Sequence, residues 1–245
     1  MGPHGRGVAD YFGANPRSID ILMGTFTKAF GAAGGYVSGT KAIIDRLRLR
    51  GHGGTYAESI TPPVLAQILA SMASIMGVAP PASSTVDVAQ HPGTVHPSRL
   101  PAWMDLPRSL RDGSEGRVRL QRLAFNSRYL WRGLSKLGFI IYGHAGSPVV
   151  PLIVLNPGKL GLFHRMMRAR KTPIVVVVVS YPATPLITSR ARFCVSASHT
   201  KDDIDTILRA CDEIGDILDL KHSSGERWPL KRVMDNATEL VNMED

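Results

Sequence analysis

Cysteine is scarce in this chain: Cys194 and Cys211 are the only two among 245 residues. So few exclude a disulfide framework and point to a reducing compartment. Both sit in apolar stretches and read as core filler. Long apolar runs are also missing. The longest, Ile174 to Val179, is β-branched and short, which suits a buried strand and excludes a spanning helix. The opening residues carry no signal-peptide pattern. Acidic residues are outnumbered, 29 Lys and Arg against 20 Asp and Glu, for a net charge of +9. Aromatic residues make up only 7% of the chain and do not interleave with a basic patch, so nucleic acid is not an expected partner. The basic excess reads as a solvated face that could lie near anionic lipid headgroups. His91 and His96 fall in a proline-rich stretch at a spacing that matches no common metal site, and no metal is expected.

What is present is enough to fold. Apolar residues make up 44% of the chain, which can bury a core. Hydrophobic spacing predicts helices over 41–49, 64–76, 116–137, 160–170 and 201–218, and a short helical turn over 8–12. Strands are expected over 19–23, 36–38, 139–142, 149–155 and 174–179. Residues 51–63, ending in Pro62-Pro63, read as a glycine-rich linker into the next helix. Residues 80–116 hold six prolines among polar residues and read as an irregular insertion, with Trp103 and Met104 as its anchors. Thr200 is the expected N-cap of the last long helix, with Asp202 and Asp203 in its first turn. Beyond Lys221 the tail is polar and is expected to be loose. Alternating strands and helices argue for an α/β class.

The most informative stretch is Gly24-Thr-Phe-Thr-Lys-Ala-Phe-Gly-Ala-Ala-Gly-Gly35. Lys28 stands between an apolar run and a glycine cluster, with Thr25 and Thr27 beside it. Such partly dry surroundings disfavour the ammonium form and lower a lysine's pKa. A neutral amine is what Schiff-base chemistry requires. A second block, Tyr181 to Thr200, contains Arg190-Ala-Arg-Phe-Cys-Val195. Strand alternation puts Arg190 and Arg192 on one face, opposite Ala191 and Phe193. An arginine directed into a cleft can clamp a carboxylate through two parallel hydrogen bonds, whereas one facing solvent does not.

These two blocks resemble the α-oxoamine synthases, and within them the serine palmitoyltransferase branch. The first resembles the segment carrying the pyridoxal 5'-phosphate lysine. The second, Pro182-Ala-Thr-Pro185 through Ser189-Arg-Ala-Arg-Phe-Cys194 to His199-Thr200, is similar almost residue for residue. The opening Gly2-Pro-His-Gly-Arg-Gly7 resembles the glycine-rich loop that in this family follows an aspartate and histidines contacting the cofactor. That resemblance implies that Met1 is an internal methionine of a longer protein or the start of a truncated gene product. The implied fold is that of a fold-type I α/β transferase. Residues 1–79 would complete the cofactor-binding large domain, 80–116 form an insertion, 117–221 the small domain and 222–245 a tail.

The resemblance also implies roles. Lys28 would carry the cofactor and act as the catalytic group, with Thr25 hydrogen-bonded to the cofactor. Ala57 and Glu58 would approach the cofactor phosphate of a partner subunit, although the family more often has small hydroxyl residues where Glu58 stands. Arg192, and after it Arg190, would bind the amino-acid carboxylate. The implied reaction condenses L-serine with a long-chain acyl-CoA to 3-ketosphinganine, the opening step of sphingolipid synthesis. A lysine-lacking sister subunit would complete a heterodimer at the cytosolic face of the endoplasmic reticulum membrane, held there by segments ahead of Met1. Two other readings stay open from sequence: a sister synthase with another substrate, and a non-catalytic fragment that binds the partner subunit.

Overall fold

The computed structural model of the chain describes residues 2–77 and 106–243. The expected insertion falls largely between them, so its histidines and its anchors Trp103 and Met104 lie outside the described residues. The chain forms two compact units, Met1–Leu120 and Gln121–Asp245. The division falls inside one long helix, whereas the sequence pattern starts the small domain at 117.

The first unit opens with a short helix, α1 (Val8–Tyr11), then a β-hairpin of β1 (Ile21–Thr25) and β2 (Gly35–Gly39). The strands are antiparallel, with Met23 opposite Val37 and Thr25 opposite Gly35. Helices α2 (Lys41–Arg50), α3 (His52–Tyr56) and α4 (Pro62–Met76) follow, then the short α5 (Arg108–Arg111). Pro62 and Pro63 start α4, where their missing N–H groups cost nothing. The stretch expected to be a plain linker thus contains α3. Strand β1 is not buried: Ile21 is 54% and Met23 72% exposed. The strands of the hairpin pair only with each other; Leu22 and Gly24 of β1 are half-buried, and β2 is exposed throughout. Among the described residues of the unit, the buried apolar side chains are Ile68 and Ala73, both on α4.

Helix α6 (Ser114–Lys136) runs across the division into the second unit. Gly138, at φ +100°, ends this segment in the left-handed region that glycine tolerates. A three-stranded antiparallel sheet follows, in the order β3 (Val149–Ile153), β5 (Arg190–Cys194), β4 (Val177–Val179). Helices α7 (Pro157–Arg168) and α8 (Lys201–Ile217) join α6 in covering one face. Val150 and Leu152 of β3 and Ala191 and Phe193 of β5 meet Leu130 and Leu134 of α6, Phe163 and Met167 of α7, and Leu208 and Ile214 of α8. This is a two-layer α/β sandwich with the core between the layers.

Three expectations for this unit need correction. Residues 139–142 make no strand, only an isolated bridge from Ile141 to Leu152; Gly143, at φ +81°, then turns the chain away. Of the valine run only 177–179 is strand, and of the run only Val176 is buried. Strand β4 is a sheet edge, so its valines lack a second neighbour: Val177 is 42% and Val178 41% exposed. The tail is not loose. It forms α9 (Leu230–Asp235) and α10 (Ala237–Asn242), and it buries Trp228, Val233 and Leu240 in the same core. The indole of Trp228 lies under the Arg232 guanidinium at 4.0 Å and the Lys136 ammonium at 5.1 Å. Cys211 is buried as expected and burial pushes its thiol pKa up, but Cys194 is exposed on β5. Among the described residues no helix is long and apolar enough to cross a membrane.

Candidate functional site

Lys28 sits in the turn between β1 and β2, and local hydrogen bonds shape that turn. The Phe26 amide donates to the Gly34 carbonyl at 3.0 Å, the Ala32 amide to the Phe26 carbonyl at 2.9 Å, and the Gly31 amide to the Lys28 carbonyl at 3.1 Å. Gly31 and Gly34 adopt φ of +58° and +86°, which an L side chain resists. Thr25 and Thr27 share a hydroxyl–hydroxyl bond of 2.8 Å, and the Thr25 hydroxyl also reaches the Gly34 carbonyl at 3.3 Å. Across the hairpin the Tyr36 ring lies over Gly24, where a Cβ would come within 2.4 Å of it. The Phe26 ring packs against Tyr36 at 5.5 Å and edge-on against Phe30 at 5.4 Å.

The Lys28 side chain is exposed. The dry surroundings expected from its neighbours are therefore not supplied by the first unit: the glycines that shape the turn also leave it open. The chemistry of the donors still fits a phosphorylated aldehyde cofactor. A primary amine is presented outward on a stiff turn, with two hydroxyls within hydrogen-bond reach of each other beside it. Ala57 and Glu58 follow α3, and both are exposed. They carry no second cation for a phosphate, and Glu58 is itself an anion.

Two polar residues near the lysine turn escaped the sequence reading. Ser71 of α4 donates its hydroxyl to the Phe30 carbonyl at 2.7 Å, and the Gln67 amide donates to the same carbonyl at 3.2 Å. The available signal was a polar pair at i and i+4 on a helix whose only other polar side chain is Ser74. In the glycine loop, Asp10 accepts from the His4 ring at 2.8 Å, from the His4 amide at 2.9 Å and from the Arg6 amide at 3.3 Å. The His4 ring bond is the chief cause holding its carboxyl below the usual range.

The two arginines belong to the second unit. On β5 Arg192 stands between Pro151 of β3 and Val177 of β4, and Arg190 between Ile153 and Val179. The expected alternation holds, with Ala191 and Phe193 buried and Arg192 exposed on the other face. Arg190 donates from Nε to the Thr188 carbonyl at 3.2 Å, which ties it to its own strand entry. Arg192 has no hydrogen bond or ion pair with the described residues, so its guanidinium can take both oxygens of an incoming carboxylate.

The turn from β5 into α8 is built around Asn126 of α6, whose amide donates to the His199 carbonyl at 2.7 Å and the Ser196 carbonyl at 3.4 Å. Thr200 is the N-cap, as the pattern predicts, and the structure adds that it forms a reciprocal capping box with Asp203. The backbone bond from Thr200 leads the causes that lower the Asp203 pKa, and the Thr200 hydroxyl adds to it.

The sequence profile of the aminotransferase class I and II family matches residues 3–77 and 102–211. Serine palmitoyltransferase 2 of Schizosaccharomyces pombe is 50% identical over 226 residues, covering 92% of this chain and 32% of that protein. Serine palmitoyltransferase 2 of Saccharomyces cerevisiae is 48% identical over 242 residues, covering 96% of this chain and 37% of that protein. The chain thus spans about a third of the length of these relatives. A solved serine palmitoyltransferase from S. paucimobilis, with a bound pyridoxal phosphate–myriocin aldimine, superposes with a TM-score of 0.64 at 23% identity, covering 89% of this chain and 45% of that one. At that identity the likeness is one of fold, the α/β architecture of fold-type I transferases. The chain belongs to the aminotransferase class I and II family and, within it, is similar over nine-tenths of its length to serine palmitoyltransferases.

Proposed function

We propose that this chain supplies the lysine-bearing part of a serine C-palmitoyltransferase, which condenses L-serine with a long-chain acyl-CoA to 3-ketosphinganine with loss of carbon dioxide and CoA. The observation that carries the reading is Lys28 held outward on a hydrogen-bonded turn just after Thr25 and Thr27, in a chain about half identical to serine palmitoyltransferases over most of its length. Pyridoxal 5'-phosphate, when bound, supplies an electron sink for the carbon that loses its carboxylate and takes the acyl group. Lys28 holds that cofactor and moves the proton at the serine Cα. Thr25 donates a hydroxyl hydrogen bond toward the cofactor. Arg192 orients the serine carboxylate, with Arg190 as a second cation on the same strand. Ala57 and Glu58 pass near the phosphate bound by a partner subunit, with the Glu58 carboxylate turned away from it.

The domain reading belongs with this proposal: residues 1–79 complete the large domain, 80–116 are an insertion, 117–221 form the small domain, and 222–245 are the tail, of which Trp228 to Leu240 join the small domain's core. The partner is a lysine-lacking sister subunit, and the complex works at the cytosolic face of the endoplasmic reticulum membrane. The test is titration of the full chain with pyridoxal 5'-phosphate, followed by borohydride reduction and peptide mapping, then co-expression with the sister subunit and a product assay. A saturable visible band with the label on Lys28, and ketosphinganine formed only by the pair, is the expected result. Label scattered over many lysines, or product unaffected by Lys28→Ala, refutes it.

A further inference from the structure

We infer that Gln67 and Ser71 are positioning residues for Lys28, an inference that rests on the reading of Lys28 as the cofactor lysine. The lysine turn is rich in glycine, and glycine backbones wander unless something else restrains them. Its two ends are fixed by the β1–β2 pairing. Its tip, Ala29 to Ala33, is beyond that ladder. The restraint at the tip comes from a different element: Ser71 donates to the Phe30 carbonyl at 2.7 Å and Gln67 to the same oxygen at 3.2 Å.

Gln67 also donates to the Ser71 hydroxyl at 3.2 Å, so the two side chains support each other one helical turn apart. Phe30 lies two residues after Lys28, and the carbonyl of Lys28 itself accepts from Gly31. The pinned Phe30 carbonyl and the Gly31 amide share one peptide plane, so fixing that plane also fixes the donor that holds the Lys28 carbonyl. Gly31 fits the same arrangement. A Cβ there would lie 3.7 Å from the Gln67 amide nitrogen, and its φ of +58° lets the chain turn directly under the helix. The rest of α4 is nearly all apolar, so a polar pair at this one place is satisfied by the lysine turn rather than by its own helix. Reacting groups misplaced by about 1 Å lose rate on the order of a hundredfold, which makes such a restraint worth having beside a Schiff-base lysine.

The test compares the full wild-type chain with Ser71→Ala, Ser71→Thr and the double variant Gln67→Ala/Ser71→Ala. In the cofactor-free chain, the Gly31 and Ala32 amides are expected to exchange with deuterium about tenfold faster in the double variant, and near the wild-type rate in Ser71→Thr, which keeps the hydroxyl. After addition of pyridoxal 5'-phosphate and borohydride, the share of label on Lys28 relative to the other lysines is expected to fall about tenfold in the double variant and to recover in Ser71→Thr. Unchanged exchange overturns the inference. Faster exchange with the Lys28 share intact also overturns it, since the pair then serves stability alone. If the wild-type label itself is scattered, the cofactor reading fails separately, and the exchange rates still decide whether the pair restrains the turn.

Discussion

The Tyr129 hydroxyl donates to Asp205 Oδ1 at 2.6 Å, joining α6 to α8 inside the core of the second unit. Tyr129 is fully buried, and Asp205 is 5% exposed. Lys201 completes the arrangement, donating to Asp205 Oδ2 at 2.7 Å while its ammonium stands 5.4 Å over the Tyr129 ring. A carboxylate this deep is tolerable only because both of its oxygens have donors. Burial, and then the bond to Asp205, push the Tyr129 hydroxyl pKa well above its ordinary value.

Tyr129→Phe removes one of those donors and leaves a buried oxygen short of a partner. The expected loss of stability is about 1–3 kcal/mol, read by thermal or urea unfolding of the chain. Little change would show that water replaces the hydroxyl at Asp205.

The capping box at Thr200 makes part of the stability of α8 depend on pH. The folded pKa of Asp203 is depressed, so its contribution is present above the ordinary carboxylate range and is lost as pH falls through the lowered value. Thr200→Ala is expected to cost about 1 kcal/mol at neutral pH. The variant should also unfold with a shallower dependence on pH below 4 than wild type, measured by the urea midpoint across an acid series. Parallel acid profiles would mean that other carboxylates dominate.

The tail is predicted to be part of the fold. Leu240 is fully buried, and its own carbonyl accepts from the Arg132 guanidinium at 2.8 Å. Leu240→Ala is expected to cost about 2–5 kcal/mol, and deletion from residue 226 onward to leave the second unit molten, with dye-binding apolar surface. A truncated chain with an unchanged melt would place the tail outside the cooperative unit.

Arg192→Lys keeps a charge but loses the paired donors. If the proposed function holds, the KM for serine of the proposed complex is expected to rise roughly thirtyfold with a smaller change in kcat, while Arg190→Lys costs less because Arg190 is already engaged by Thr188. Equal effects of the two substitutions would remove the distinction drawn between them.

The amino-acid order alone determined those features whose partners lie within a turn or a strand. The Thr200–Asp203 box needs only three residues of separation, the stop at Gly138 only one left-handed residue, and the Arg190 and Arg192 alternation only a strand period of two. The Lys28 turn belongs with these, because its glycines and threonines bond one another across fewer than ten residues. Tertiary structure alone decided what distant segments do to these pieces. Ser71 and Gln67 reach Phe30 from 41 and 37 residues away, Trp228 and Leu240 find a core built a hundred residues earlier, and the valine run ends up at a sheet edge because β5 inserts between it and β3. Local pattern records which face of an element is apolar. Whether anything covers that face, as at the largely exposed hairpin carrying Lys28, depends on which other elements come to pack against it.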